Sequence, residues 1–452
     1  MTAPRGNTSN STTNQALAAL AAYIDELSPA LAIAGATIIR VDKGGVDATG
    51  LRGRLDRPFL TIGAAMGVAL SGDIIQIGAG IWAENVVIPA TLTSLSIFGT
   101  GYGQTFIQPA LGIALAYTAL VAPAPVLANL TIKNVTLWGN AAGGAGLAID
   151  GTLAPTTFGA IAGAECFMQS VRVLNVGGPV GIGFTVVNNV NMLDCIDSLA
   201  NTVEFMTVSS VEMKNCIMGV TTFHYELLDL VKPSGGIAAK HLYNTFLAGL
   251  AVHNLDDVFC DSGCVVSGAI VALCEDDGLG NGQLEFHGIA EGAVTLNATL
   301  GADRTCYIFD HSKIIGVLIV NNPGLGAFLI GVNLRNAVLD TIAASGITVG
   351  NCATLDMIEA TFSHTAGVLA PIAPAAANPG SANRSIHSVA VNLTGGADAI
   401  ALVPPYNDVN YRVVYELSVA TTSVITINKA VNTFDATSAG LSGGARAIVL
   451  HE

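Results

Sequence analysis

Met-Leu-Asp-Cys-Ile at residues 192–196 returns 21 positions later as Met-Lys-Asn-Cys-Ile at residues 213–217. Each copy is a short run of strand-forming residues, followed by Asp or Asn and then by the start of another short run. Asp and Asn tolerate the left-handed backbone angles of a tight corner. A chain that repeats this pattern predicts short strands that stack one above the next, with a corner beside each strand.

The same spacing recurs outside this stretch. Ile-Lys-Asn-Val at residues 132–135 lies 41 positions, or two such steps, before Val-Leu-Asn-Val at residues 173–176. Ile77 and Ile97 are 20 positions apart. A step of 20 to 22 residues is one coil of a parallel β-helix, in which three short strands alternate with three turns.

This period predicts that residues 36–364 form an all-β parallel β-helix. Roughly fifteen coils would stack to about 70 Å at ~4.8 Å per coil, or fewer where loops protrude. A leucine-rich repeat has a similar length, but its repeated Leu-x-x-Leu-x-Leu frame is missing here.

Residues 45–110 carry short motifs in a fixed order. Asp-Ala-Thr-Gly begins at Asp47, a short Ala-rich helix follows, Gly72-Asp73 opens a strand, and Gly-Ile-Trp-Ala-Glu ends at Glu84. This order resembles the first coils of pectin-lyase-like right-handed parallel β-helix proteins. The resemblance implies the fold and its right hand. It leaves the function open, because lyases, hydrolases, adhesins and phage tailspikes share this fold.

The two ends of the chain lack the coil period. Residues 1–35 read as a polar arm and a helix with one apolar stripe, which would cap the open end of the β-helix or join chains. The stripe consists of Leu17, Leu20, Ile24 and Leu27. Residues 365–384 are rich in Ala and Pro and indicate a linker, and residues 385–452 predict a small antiparallel β-sandwich. This order is similar to that of viral tailspikes and fibres, in which three parallel chains usually form the shaft.

Charged residues are scarce. They make up 11% of the chain, against about 25% in ordinary proteins, and the mean hydropathy is +0.58. Such a chain exposes large apolar patches unless neighbours cover them, which predicts an oligomer within a larger assembly. The net charge of −15 argues against nucleic acid or an anionic membrane as a partner. No apolar run of about 18 residues occurs, so no membrane insertion is expected.

Eight cysteines are scattered along the chain, several of them in strand-like apolar contexts. Their spacing favours buried free thiols, which fits assembly in a reducing compartment. The first fourteen residues are polar and lack the pattern of a secretory signal.

Four acidic residues are the candidate catalytic groups. Asp194 with Asp197, and Asp256 with Asp257, place two acids close together, and glycoside hydrolysis uses two carboxylates about 5–9.5 Å apart. The Leu-Asp-Asp step that ends at Asp257 and the later His287 resemble polygalacturonases. The Asn-x-Asp, Gly-His-Gly and Arg-x-Lys elements of that family do not occur in order, so the pattern favours solvated turn carboxylates.

Two further acidic patterns are weaker. Asp356 with Glu359 forms a third carboxylate pair. A pectate-lyase-like calcium site would need an Arg base beside several Asp residues, and the nearby pairs are Asp303-Arg304 and Arg335 with Asp340. No acidic cluster lies one coil away from either pair.

Two segments could bind metal, although no cofactor is predicted. Glu275, Asp276 and Asp277 open an acidic Gly-rich run whose oxygen ligands suit Ca²⁺, but the spacing matches no EF-hand loop and favours an exposed loop. A second set has zinc-type ligands in a spacing unlike paired Cys-x2-Cys knuckles, which favours core or turn thiols. That set consists of Cys260, Cys264 and Cys274 with His253 and His287. Trp82 and Trp138 read as core or corner residues.

Together these features favour a structural virion protein: a homotrimeric spike, fibre or capsid-decorating protein that attaches to the host. Its expected partners are further copies of itself, other virion proteins, and a host-surface glycan or receptor. Its expected place is the virion, assembled in the host cytoplasm. The alternatives are a polysaccharide-degrading tailspike, either a lyase or a glycoside hydrolase, and a bacterial surface adhesin.

Overall fold

A computed structural model describes residues 37–451 apart from a set of internal segments. The segments left out are residues 119–126, 140–144, 151–164, 176–179, 186, 188, 200, 207, 209, 225–238, 254–256, 275–282, 299–304, 322–329, 342–346, 350–353, 357–360, 365–385, 393–396, 402–410, 418–425, 431–432 and 438–443. The described residues form a right-handed parallel β-helix, whose parallel coils the period predicted and whose right hand the resemblance implied, followed by two antiparallel sheets.

The β-helix has three outer faces, each built from parallel strands of successive coils. In the part of the chain that the structure describes, face 1 contains thirteen strands: β1 (Ile38–Val41), β2 (Asp73–Ile77), β5 (Ser94–Phe98), β8 (Asn129–Lys133), β11 (Glu165–Gln169), β14 (Asn189–Leu193), β17 (Ser210–Lys214), β19 (Ala239–Tyr243), β21 (Asp257–Cys260), β24 (Gln283–Phe286), β27 (Thr305–Ile308), β30 (Ile330–Asn333) and β33 (Thr354–Asp356).

Faces 2 and 3 share two long strands. Face 2 contains β3 (Gly80–Trp82), β6 (Thr105–Ile107), β9 (Thr136–Gly139), β12 (Arg172–Asn175), β15 (Ile196–Asp197), β18 (Ile217–His224), β20 (Phe246–His253), β22 (Val265–Val266), β25 (Ile289–Ala290), β28 (Lys313–Ile314), β31 (Val338–Thr341) and β34 (Thr361–His364). Face 3 contains β4 (Val86–Ile88), β7 (Leu115–Thr118), β10 (Leu147–Asp150), β13 (Val180–Thr185), β16 (Thr202–Met206), the second halves of β18 and β20, β23 (Ile270–Cys274), β26 (Val294–Ala298), β29 (Leu318–Asn321) and β32 (Ile347–Val349).

Alternation along each strand builds the core. Inward residues of face 3 pair in register from coil to coil and form a buried column: Tyr117, Ile149, Phe184, Phe205 and Phe223. The Phe184 and Phe205 rings stack with centroids 5.4 Å apart, and the Phe205 and Phe223 rings stack at 5.1 Å. Each coil is therefore held by apolar contact with the coil on either side.

The corner between faces 1 and 2 explains the repeated Asn and Asp. Asn134, Asp194, Asn215 and Asn244 have positive φ angles of 57°, 53°, 54° and 46°. Their side chains also join coils: Asn215 Nδ2 donates to Asp194 Oδ1 at 3.1 Å, and Asn244 Nδ2 donates to Asn215 Oδ1 at 2.9 Å. The sequence repeat is thus the signature of this corner.

Small side chains fill the inside of the same corner, directly after the left-handed residue. Cys195 and Cys216 occupy this place on adjacent coils and are buried and free. Cys166, Cys260 and Cys264 are also buried and free, so the prediction of buried thiols is confirmed for these five cysteines. Burial raises the pKa of Cys166 to about 12.

The motifs near the N-terminus hold the first coils. Buried Asp73 accepts from Arg52 Nε and Nη2, both at 2.6 Å. Glu84 accepts from the backbone N–H groups of Ile62 and Gly63, and so satisfies the free end of helix α1 (Ile62–Val68). Trp82 is buried as expected. These carboxylates are structural, because their oxygens are occupied within the chain.

Some coils are longer than the period suggested. Leu130 pairs with Cys166, 36 positions further on, and Val211 pairs with Lys240, 29 positions further on. Thirteen strands on face 1 therefore stack to about 58 Å, less than the expected ~70 Å.

The C-terminal strands are antiparallel, as predicted. One sheet contains β35 (Ile386–Asn392), β37 (Tyr411–Leu417) and β40 (Gly444–His451), and the other contains β36 (Ala397–Ala401), β38 (Thr426–Ala430) and β39 (Thr433–Thr437). Their packing into a sandwich and the domain boundaries stay predictions. The predicted helix stripe, Leu17, Leu20, Ile24 and Leu27, and the whole predicted linker, residues 365–384, lie outside the described residues.

Among the described residues, no helix is both long and apolar enough to cross a membrane.

Candidate functional site

The first candidate catalytic pair does not line one groove. Asp194 is exposed at the corner, where it accepts a hydrogen bond from Asn215. Asp197 is the inward residue of β15, and its exposed fraction is 2%. A carboxyl sealed inside the β-helix cannot share a solvated site with an exposed one, so the structure contradicts this pairing.

Asp197 lies in a polar pocket at the corner between faces 2 and 3. Asn201 Nδ2 donates to Asp197 Oδ1 at 3.0 Å, and the backbone N–H groups of Ser198 and Gly219 lie close to this carboxyl. Asp197 Oδ2 has no hydrogen-bond partner among the described residues. Burial raises the pKa of Asp197 to about 7, although the Asn201 amide and the nearby backbone N–H groups of Ser198 and Gly219 oppose this rise.

The other candidate carboxylates are only partly described. Asp257 is half-buried at the start of β21 on the outer side of face 1, and Asp256 lies outside the described residues. The side chains of Asp340 and Asp356, and the whole of Asp303, Arg304 and Glu359, also lie outside them. Arg335 is exposed at a turn, where its backbone N–H donates to Asn333 Oδ1.

The metal candidates gain no support. Glu275, Asp276 and Asp277 lie outside the described residues. Cys260 and Cys264 are fully buried, whereas His287 lies on the outer side of face 1. No group of three potential metal ligands occurs among the side chains that the structure describes.

The outer side of face 1 carries a cluster of rings on three successive coils, called here the aromatic patch. It consists of His241 and Tyr243 on β19, Phe259 on β21, and His287 directly after β24. The ring centroids are 6.0 Å apart for His241 and Tyr243, 5.9 Å for His241 and Phe259, and 5.6 Å for Phe259 and His287. Edge-to-face and tilted contacts of this kind stabilise the rings in one arrangement.

Charged groups border the aromatic patch. Lys214 Nζ lies 2.5 Å from Glu212 Oε1 and 5.4 Å from the centroid of the Tyr243 ring. On the opposite side, His287 Nε2 lies 2.8 Å from Glu285 Oε1. The patch therefore offers flat apolar rings between two ion pairs.

His287 is held at both ring nitrogens. Nε2 faces the Glu285 carboxylate, and Nδ1 lies 2.6 Å from the Asp310 carbonyl oxygen. Two acceptors require two N–H donors, which only the charged ring provides. Partial burial lowers the pKa of His287, but the hydrogen bonds to Glu285 and Asp310 outweigh it and raise that pKa. The charged imidazole that completes both contacts is therefore fully present just below the ordinary pKa of 6.5 and is lost as the pH rises through the raised pKa.

The aromatic patch is not predictable from the sequence pattern, although His287 is among the candidate zinc ligands. Its members do not form a run in the sequence, because they come from three coils of unequal length. The available signal is alternation: His241 and Tyr243 flank the inward Leu242, and Glu285 and His287 flank the inward Phe286. The strand register is needed to bring these outward positions together.

The chain matches no protein-family model, and no curated protein matches its sequence. Two solved structures align with it at 11% sequence identity. Pectin methylesterase PemA from Erwinia chrysanthemi aligns over 71% of this chain and 81% of its own, with a TM-score of 0.21. A tailspike protein from Acinetobacter baumannii bacteriophage Fri1, a capsular polysaccharide depolymerase, aligns over 93% of this chain and 86% of its own, with a TM-score of 0.32. The fold assignment rests on the strand pairing described above.

Proposed function

We propose that this chain is a structural protein of a virus particle, a homotrimeric β-helical spike, fibre or capsid-decorating protein that attaches to a host-surface saccharide. The observation that carries the proposal is the difference between the outer faces. Face 1 presents the aromatic patch and its ion pairs, while long stretches of faces 2 and 3 present almost no charge. One face is thus built to meet a polar ligand, and the other two are suited to burial.

The attachment function follows from the chemistry of the aromatic patch. The C–H face of a sugar ring is apolar and packs against the face of an aromatic ring, while its hydroxyl groups bond to carboxylates and cations at the border. Tyr243 and Phe259 supply half-buried rings, and Glu212, Lys214 and Glu285 supply the border. Successive coils repeat these groups along the shaft, which suits a polymer with repeating sugar units.

The remaining parts of the proposal rest on the sequence and on the thiols. The polar arm within residues 1–35 would dock on other virion proteins. Five buried free thiols fit assembly in the reducing host cytoplasm before incorporation into the virion.

Replacing Tyr243 by alanine is expected to weaken saccharide binding at least tenfold, because a truncated central ring removes most of the stacking surface. The measurement is binding of the fluorescently labelled full chain to an array of bacterial capsular polysaccharides and plant pectins. Phe167→Ala is the matched control, since it removes a half-buried ring from β11 on the same face but away from the patch. Equal losses in both variants, or no binding by the wild-type chain, would contradict the attachment function.

A polysaccharide hydrolase is the second candidate, and one observation favours it. Asp257 and Glu285 are outward residues on adjacent coils, two positions apart along the strand, because Val258 pairs with Leu284. Such diagonal neighbours are about 8 Å apart, within the range of an inverting carboxylate pair. Glycoside hydrolysis also needs a carboxylic acid that is protonated. The carboxyl whose pKa burial raises is that of Asp197, which lies in the sealed corner away from face 1 and so cannot act beside Asp257 and Glu285.

The same incubation separates the two candidates. A structural attachment protein binds the polymer and leaves its length unchanged, as measured by size-exclusion chromatography of the polysaccharide. Shortening of the polymer that disappears in Glu285→Gln would establish the hydrolase instead.

A further inference from the structure

An apolar ribbon runs along the outer side of face 2. Outward residues of five successive coils pair in register: Ile196, Ile217, Phe246, Val265 and Ile289. Each is followed along its strand by a buried, inward residue. The ribbon itself is partly exposed along its length, and Ile217 is 41% exposed. A row of five apolar side chains exposed to water is unfavourable for a lone chain. Contiguous patches of this kind mark interaction sites.

The outer side of face 3 is complementary in size. In the same five coils, one outward register column of face 3 consists of Glu204, Thr222, Ala251, Val271 and Thr295, while the bulkier Met206 and Leu273 lie in the next outward column. Phe246, the bulkiest residue of the ribbon, thus lies in the same coil as Ala251, one of the smallest outward residues of face 3. A ridge on one face and a shallow groove on the other suit contact between copies, each of which presents both faces.

A positive and a negative side chain near the N-terminal end of the ribbon are also complementary. Arg172 is the outward residue of face 2 one coil before Ile196, and Glu204 is the outward residue of face 3 in the coil of Ile196. The two heights differ by one coil, about 4.8 Å, which an arginine side chain spans. Among the described side chains, neither has an ion-pair partner within the chain. Their opposite charges fit a contact between face 2 of one copy and face 3 of the next.

We propose that face 2 of one copy packs against face 3 of a parallel second copy, and that three such contacts close a ring around the corner between the two faces. Arg172 of one copy pairs with Glu204 of the next, and the apolar ribbon fills the small-residue groove. This rests on the proposed trimer and names the surface that forms it. Head-to-tail contacts of this kind form closed rings when the rotation between copies is right.

The shape of the corner fits three copies. β18 (Ile217–His224) and β20 (Phe246–His253) run through from face 2 to face 3 as single strands. A continuous strand can bend but cannot fold back sharply, so the angle between the two faces is greater than 90°. At most three copies with such an angle fit around one axis. The nine coils from β3 to β25 span about 38 Å; at roughly 12 Å per face, each contact buries roughly 900 Å² in total, less than the ~1,600 Å² of a standard interface, and the three contacts of the ring together bury roughly 2,700 Å².

The test is a charge exchange measured by multi-angle light scattering across a dilution series of the full chain. Arg172→Glu and Glu204→Arg should each weaken trimer formation about tenfold or more, because each places like charges together. The double variant R172E/E204R should restore assembly to near the wild-type value. Ile217→Lys should also weaken it, whereas Leu193→Lys, an outward change on face 1 in the coil before, should not.

The outcomes separate the interface from the trimer. A wild-type trimer that both single charge changes and Ile217→Lys leave intact overturns this interface and leaves the trimer standing. A wild-type monomer at micromolar concentration overturns both. Loss in the single variants without recovery in the double variant rejects the ion pair.

Discussion

Replacing Phe205 by alanine is expected to lower the free energy of unfolding by about 3–5 kcal/mol, the usual cost of removing a large buried ring. Phe205 is 1% exposed and lies between Phe184 and Phe223 in the inward column of face 3. Strand pairing fixes the distance between coils, so the neighbouring rings cannot collapse into the space. The cavity therefore persists and interrupts the stacking of three coils at once.

Guanidinium denaturation followed by circular dichroism measures this loss, and Phe205→Leu should recover most of it. Phe167→Ala serves as the matched control, because it removes the same ring from the outer side of face 1 and should cost less than about 1 kcal/mol. A loss for Phe205→Ala no larger than that of the control would mean that the inward column does not hold the coils together.

The interior of this fold can be predicted from the sequence because it is local. The left-handed corner selects Asn or Asp, as at Asp194, Asn215 and Asn244, and the next residue must be small and inward, as at Cys195 and Cys216. These constraints act within one coil and repeat, so the period and the corner are visible in the chain. The same alternation predicts that Asp197 faces inward, because Cys195 is inward, Ile196 is outward and Asp197 is the next residue.

The outer surface cannot be predicted in the same way. Which outward residues meet depends on the register between coils, and coil length varies where loops are inserted, as between Leu130 and Cys166. His241, Phe259 and His287 become neighbours only once the pairing of β19, β21 and β24 is known. The same holds for Arg172 and Glu204, which lie on different faces. Hence the sequence indicated the fold and the buried thiols but not the aromatic patch or the ribbon.

The second large effect concerns pH and the buried Asp197. Its pKa rises from the ordinary value of 3.8 to about 7, so the folded chain binds a proton that the unfolded chain releases at lower pH. A raised pKa contributes stability that is complete below about pH 4 and is lost as the pH rises through about 7. The loss amounts to roughly 4 kcal/mol at pH 8. We therefore expect Asp197→Asn, which cannot ionise, to be more stable than the wild-type chain at pH 8 by several kcal/mol.

The measurement is chemical denaturation of both chains at pH 4, 6 and 8. At pH 4 the two should differ little, because the wild-type carboxyl then carries its proton and the asparagine keeps an oxygen that can accept from Asn201. The advantage of Asp197→Asn should grow between pH 4 and pH 8. Asp194→Asn is the control: it removes an exposed carboxylate three residues away and should change stability by at most about 0.5 kcal/mol. A constant difference between Asp197→Asn and the wild-type chain at all three pH values would show that the corner carboxyl does not titrate in the folded state.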